Sequence, residues 1–178
     1  MNETIKIKLV FFLMLLISLL LLLKCQRDSS SNFEMFLKAK TDIEAGRYLV
    51  TIGGCNDCHI DGYLQKEGKI PEKDWLTGSI MGWRGPWGTT YASNLRLFVQ
   101  DVDEDDFVET IKTRKSMPPM PWMNVNKMSE KDARSVYKYI KSLGAKGEEM
   151  PNALPPNQAP ATPFITLVPQ SMGFQQNK

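Results

Sequence analysis

Five consecutive residues, Cys55-Asn56-Asp57-Cys58-His59, constrain this chain more than any other stretch. Two thiols three positions apart fall on one face of a helical turn, and an imidazole follows the second directly. That spacing is the attachment signature for c-type haem. Each sulfur adds across one vinyl group, and the imidazole lands beneath the iron as its proximal ligand. Three other uses of such residues compete. A thioredoxin-like pair belongs beside a strand–helix unit, and none is evident in the flanking sequence. A structural zinc ion takes four protein ligands, and the chain adds only Cys25, near the N-terminus, and no second histidine. A plain disulfide leaves the adjacent His59 without a reason. The residues favour covalent attachment of one haem through Cys55 and Cys58, with His59 on the iron.

Residues 1–25 read as an export signal or membrane anchor. Lys6 and Lys8 precede an apolar run from Leu9 to Leu23 broken only by Ser18. As a helix that run is about 22 Å long, short of the ~30 Å hydrocarbon core. A span beginning at Ile5, its lysines snorkelling to the interface, is the alternative. Cys25 closes the run as the lipid-modified cysteine of a bacterial lipoprotein would, although such signals want a small residue where Lys24 stands. Lipidation of Cys25, an uncleaved anchor and cleavage nearby all stay open. Each places the rest of the chain on the periplasmic or extracytoplasmic side of a bacterial cell membrane, where c-type haem is attached. The formal charge of +2 comes from Lys6, Lys8 and Lys24 against Glu3; beyond residue 25, acids and bases balance. That balance argues against nucleic acid as a partner.

Beyond the leader, the serine-bearing stretch 26–40 reads as a tether, 41–145 as one domain, and 146–178 as an extended strap carrying six of the eleven prolines. The first domain helix begins at Thr41 with a capping box to Glu44. Ile43, Leu49, Val50 and Ile52 offer its apolar face, and Gly53-Gly54 ends it ahead of Cys55. Gly46, costly in mid-helix at ~1 kcal/mol, implies close helix packing. Residues 60–102 show no strong helical period and predict an irregular segment with a short hairpin near 78–92. Arg84, Trp83, Trp87, Tyr91 and Asn94 are candidate donors to haem propionates. A second helix spans about 103–115, acidic at its start and basic at its end, as the helix dipole favours, with Phe107, Val108 and Ile111 inward. The last begins at Ser129, runs through Ala133, Val136, Tyr137, Ile140 and Leu143, and stops at Gly144. In the strap, Phe164, Ile165 and Leu167 are the expected docking residues.

A haem held by one histidine needs a sixth ligand or stays open. With no second histidine, methionine sulfur is the natural choice. Met1 and Met14 belong to the leader, Met35 to the tether, and Met150 and Met172 to the tail, while Met128 has the place of a hydrophobic staple before Ser129. Met117, Met120 and Met123 remain, with Met81 as an outsider. Only Met117 and Met120 lie in the proline-stiffened stretch Ser116-Met117-Pro118-Pro119-Met120-Pro121-Trp122. Met120, between two prolines, is the more restricted.

Taken together, several elements resemble the single-haem class I cytochromes c, and within them the cytochrome modules of bacterial periplasmic dehydrogenases. They are the Gly46 helix leading into Cys55–His59, the stretch Gly88-Thr89-Thr90-Tyr91-Ala92-Ser93-Asn94-Leu95, the acidic-start helix, Met120-Pro121-Trp122, and Ser129-x-x-Asp132 leading to Val136-Tyr137-x-Tyr139-Ile140. The likeness covers about 41–145. It departs after Asn94, where relatives often continue Thr-Pro-Asp and this chain has Leu95-Arg96-Leu97. The resemblance implies a mostly α-helical domain with irregular loops packed around one haem, iron ligated by His59 and Met120, and Gly46 crossing Tyr139. It further implies an electron carrier rather than an enzyme. Its partners would be redox proteins, such as a periplasmic dehydrogenase or terminal oxidase in which it serves as a subunit. A haem-based gas or redox sensor is the competing expectation.

Overall fold

The structure, a computed structural model, describes residues 39–169 and, nearer the N-terminus, residues 5, 8, 11–16 and 18. The chain divides into two compact units, Met1–Leu37 and Lys38–Lys178. In the first, residues 11–16 are helical. No helix among the described residues is long and apolar enough to cross a membrane. Cys25, Met35 and Met172 lie outside the described residues, as does nearly all of the expected tether.

Along the second unit run α1 (Asp42–Ile52), α2 (Cys55–His59), β1 (Gly82–Gly85), β2 (Gly88–Thr90), α3 (Leu95–Asp101), α4 (Glu104–Thr113), α5 (Trp122–Val125), α6 (Glu130–Ser142) and β3 (Phe164–Thr166). Helices predominate, and a small three-stranded sheet in the order β2-β1-β3 makes the architecture mixed rather than purely helical. The three longest helices carry the expected caps. The Thr41 hydroxyl accepts the Glu44 amide at 3.2 Å, while the Glu44 carboxylate reaches back to the amide of Lys40 at 2.8 Å. Asp103 caps α4 through the Asp106 amide, 2.9 Å, and Ser129 caps α6 through the Asp132 amide, 3.1 Å.

Helix α1 packs on α6, and Gly46 is where they meet. A Cβ there would lie 2.0 Å from the Ser135 carbonyl oxygen and 2.7 Å from Tyr139 Cβ. Val50, Trp75, Leu76, Val99, Phe107 and Tyr139 lead the core, with Met128 packed at its margin. The apolar face of α1 differs from expectation. Val50 is fully buried, but Ile43 is 46% and Ile52 62% exposed, because the face that meets α6 is led by Ala45, Gly46 and Val50.

The hairpin of β1 and β2 falls within 78–92 as the turn residues predict. Helices α3 and α5 were not expected. For α3 the cause is local: the Asn94 side chain accepts from the amides of Arg96 and Leu97, at 3.0 and 3.2 Å. The strap docks through the expected stretch, Phe164, Ile165 and Leu167, but by its main chain, with the Leu167 amide donating to the Arg84 carbonyl at 2.7 Å. It flanks the hairpin on both edges. Leu154 and Thr89 exchange two backbone hydrogen bonds of 2.8 Å on the β2 side, and β3 pairs in parallel with β1 on the other. Phe164 and Ile165 remain 46% and 38% exposed, so main-chain pairing holds the strap rather than their side chains. Between the two edges the Arg84 guanidinium donates to the carbonyls of Gln158, 2.7 Å, and Pro156, 3.1 Å. Prolines remove amide donors but leave their carbonyls free for such a cation.

Candidate metal centre

Helix α2 exists because Gly54 takes the left-handed conformation, φ +68°, directly after α1 closes on Gly53. One helical turn then carries Cys55, Cys58 and His59. The far end is fixed by the Gly78 amide, which donates to the His59 carbonyl at 2.9 Å. Both cysteines are free thiols and half-buried. Burial pushes the Cys55 thiol up to about 11. Burial, and then the Asp57 carboxylate, raise Cys58. Among the described residues no three His, Cys, Asp or Glu side chains converge as an ion-chelating set.

His59 is 8% exposed. Its Nδ1 lies 2.7 Å from the Ser93 carbonyl oxygen. A carbonyl carries no proton, so Nδ1 is the donor and Nε2 keeps its lone pair. A hydrogen bond of this kind on the far ring nitrogen orients an imidazole for a metal and sets its tautomer. Burial lowers the pKa of the ring, against the pull of Ser93 and with a further push from Arg114, so the neutral, ligating form is favoured.

Of the methionines left open by the sequence, Met120 is half-buried, whereas Met117 is 44% and Met123 62% exposed. Met81 is half-buried, and Met150 packs near Gly78. The Met120 loop is closed on its C-terminal side by α5, whose first residue donates to the Met120 carbonyl at 2.8 Å. On the other side the Thr90 hydroxyl donates to the Pro118 carbonyl at 2.6 Å. Thr90 stands three residues before Ser93, which holds His59. Met120 and His59 are thus related through one short segment and not by a hydrogen bond of their own.

The five candidate propionate donors separate. Arg84 is engaged by the strap. Tyr91 shares a hydrogen bond with Thr162 at 2.9 Å. Asn94 gives its amide to the carbonyls of Lys146, 2.8 Å, and Glu148, 3.1 Å. Trp83 is half-buried with no partner assigned to its indole. Trp87 Nε1 is buried and unpartnered, as is Ser116 Oγ beside Met117. An orphaned buried donor costs about 1–3 kcal/mol, and an anionic group would relieve it. Two free half-buried thiols on one turn and an imidazole with Nε2 available fit a covalently attached haem.

Sequence reasoning missed Ser93 and Thr90 as contributors. Ser93 acts through its backbone carbonyl, which carries no side-chain signal. No protein-family model, no curated protein and no solved structure matches the chain.

Proposed function

We propose that this protein is a class I, single-haem cytochrome c, exported, membrane-associated and working as a one-electron carrier. The observation that carries the reading is His59. It closes the one-turn helix bearing Cys55 and Cys58, is buried, and keeps Nε2 free while Nδ1 is tied to Ser93. Haem attached there supplies reversible one-electron chemistry at iron. The chain's own residues do the rest. Cys55 and Cys58 would hold the group covalently, His59 would present a neutral nitrogen, and Met120 would supply a sulfur from a stiffened loop. With His59 and Met120 both ligating, no position would be left open for a substrate, which is why the domain is read as a carrier rather than an enzyme.

Its partners would be redox proteins of the same compartment. A second reading, as a subunit docked on a periplasmic dehydrogenase or terminal oxidase, is favoured by Tyr48 and Ile52, one helical turn apart on α1 and 50% and 62% exposed.

Haem should stay with the polypeptide on a denaturing gel and stain for peroxidase activity; extraction into acidic acetone would refute the attachment. Met120→Ala should abolish the near-infrared sulfur-to-iron charge-transfer band, lower the reduction potential and admit carbon monoxide to the reduced protein. Met117→Ala should leave all three nearly unchanged. The reverse pattern would move the ligand to Met117, and no effect from either would favour the gas or redox sensor.

A further inference from the structure

The segment Gly88–Asn94 contacts both His59 and the loop that carries Met120. At Ser93 its carbonyl fixes the ring of His59. At Thr90 its hydroxyl holds the Pro118 carbonyl, two residues before Met120. Within the stretch 116–121 the hydrogen bond from Thr90 is the tie to the hairpin; the other closures, α5 onto Met120 and Pro121 and the Asn126 side-chain amide onto the Arg114 carbonyl at 3.2 Å, join the loop to its own two ends. A two-residue lever of proline-restricted backbone transmits the position of Pro118 to Met120 with little slack.

Thr90 is in turn held by the strap on each side of itself. Thr89 exchanges two backbone hydrogen bonds with Leu154, and Tyr91 shares one with Thr162. The strap passes so close that a Cβ on Gly88 would lie 2.0 Å from the Leu154 carbonyl oxygen, and Gly88 has φ +108°. Asn94 closes the far end of the segment on Lys146 and Glu148.

We infer that Thr90 is a positioning residue for the axial methionine, and that the C-terminal strap serves the metal centre by holding Thr90 in register. This rests on the cytochrome reading above. The strap acts only through this segment, which bears on both the His59 ring and the Met120 loop. Freed of the tie, the Met120 loop samples positions in which sulfur is off the iron, and a ligand whose bound geometry is one of several loses occupancy in proportion.

The test uses the full-length haem protein. Thr90→Val keeps the β-branch and removes the hydroxyl donor. It should leave haem covalently attached, weaken the charge-transfer band, lower the potential and speed carbon monoxide binding to the reduced form, with faster amide exchange across 116–122. Thr90→Ser, which restores the hydroxyl, should recover most of each readout. Thr162→Val, which breaks only the strap's bond to Tyr91, should move potential and band in the same direction by a smaller amount. It also carries the test if Thr90→Val fails to accumulate. If these variants lower the melting temperature but leave band, potential and carbon monoxide binding at wild-type values, while Met120→Ala abolishes the band, the inference is wrong and the cytochrome reading stands. A chain that bears no haem, or a band indifferent to Met120→Ala, would instead defeat the reading beneath it.

Discussion

Gly46 shows what one absent side chain does. With Ser135 and Tyr139 pressed against it, a methyl group cannot be accommodated unless α1 and α6 separate. Gly46→Ala gains helix propensity of about 1 kcal/mol but overpacks the crossing, which typically costs about 1–3 kcal/mol. A backbone oxygen 2.0 Å away puts this site at the upper end. The denaturant midpoint should therefore fall, whereas Gly144→Ala, with nothing near its Cβ, should be limited to backbone strain at φ +72°. At the same crossing, Glu72 accepts from Arg47, 2.9 Å, and from Tyr139, 2.8 Å. Burial opposes the Glu72 charge, but these two hydrogen bonds and the Arg47 charge outweigh it, and the net shift is downward. A depressed folded pKa stabilises the fold above the unfolded value of about 4.3 and loses that contribution as pH falls through the folded one. Thermal melts should show Glu72→Gln less stable than wild type at neutral pH, with the gap narrowing at about pH 4 and below.

Among the elements, α3 is the one that joins distant parts. Its cap residue Asn94 also binds the start of the strap, and its second residue, Arg96, is 5% exposed. The Arg96 guanidinium donates to the carbonyls of Gly144, 2.6 Å, Lys73, 2.8 Å, and Leu143. It thus closes the C-terminal end of α6, where carbonyls lack helical partners and a cation suits the dipole. Arg96→Met should leave those buried acceptors unpaired, at a cost of about 2 kcal/mol or more in chemical denaturation. Lysine should rescue poorly, because it lacks the planar fork. Haem attachment through α2 should survive the change, since α2 is held separately by Gly54 and Gly78.

For the molecule as a whole, the N-terminal run and the balanced charge of the remainder predict membrane association without a strongly charged surface. The protein should sediment with membranes. Replacing residues 1–25 by a cleavable signal should release a soluble, haem-staining domain. If Cys25→Ala alone also releases it, a lipid on that cysteine is the anchor; if that variant stays bound, the apolar run is. Recovery of the untruncated protein wholly in the soluble fraction would remove the membrane from the account.

Local chemistry was legible in the sequence because it acts over a few residues. The one-turn helix at Cys55–His59, the caps at Thr41 and Ser129, the acidic start of the helix near 103, the hairpin near 78–92 and the close packing implied by Gly46 each follow from neighbouring side chains and their spacing. Helix α3 escaped because seven residues are too few to display a period and because one of its buried positions is Arg96, whose three carbonyl partners are 23 to 48 residues away. The tie of His59 to Ser93 escaped because its acceptor is main chain. Arg84, Tyr91 and Asn94 looked like free donors only while the strap was imagined elsewhere. A donor's partner depends on which distant backbone passes within 3 Å of it, and where a proline-rich strap passes is decided by sheet edges and buried carbonyls that exist only once the chain has folded.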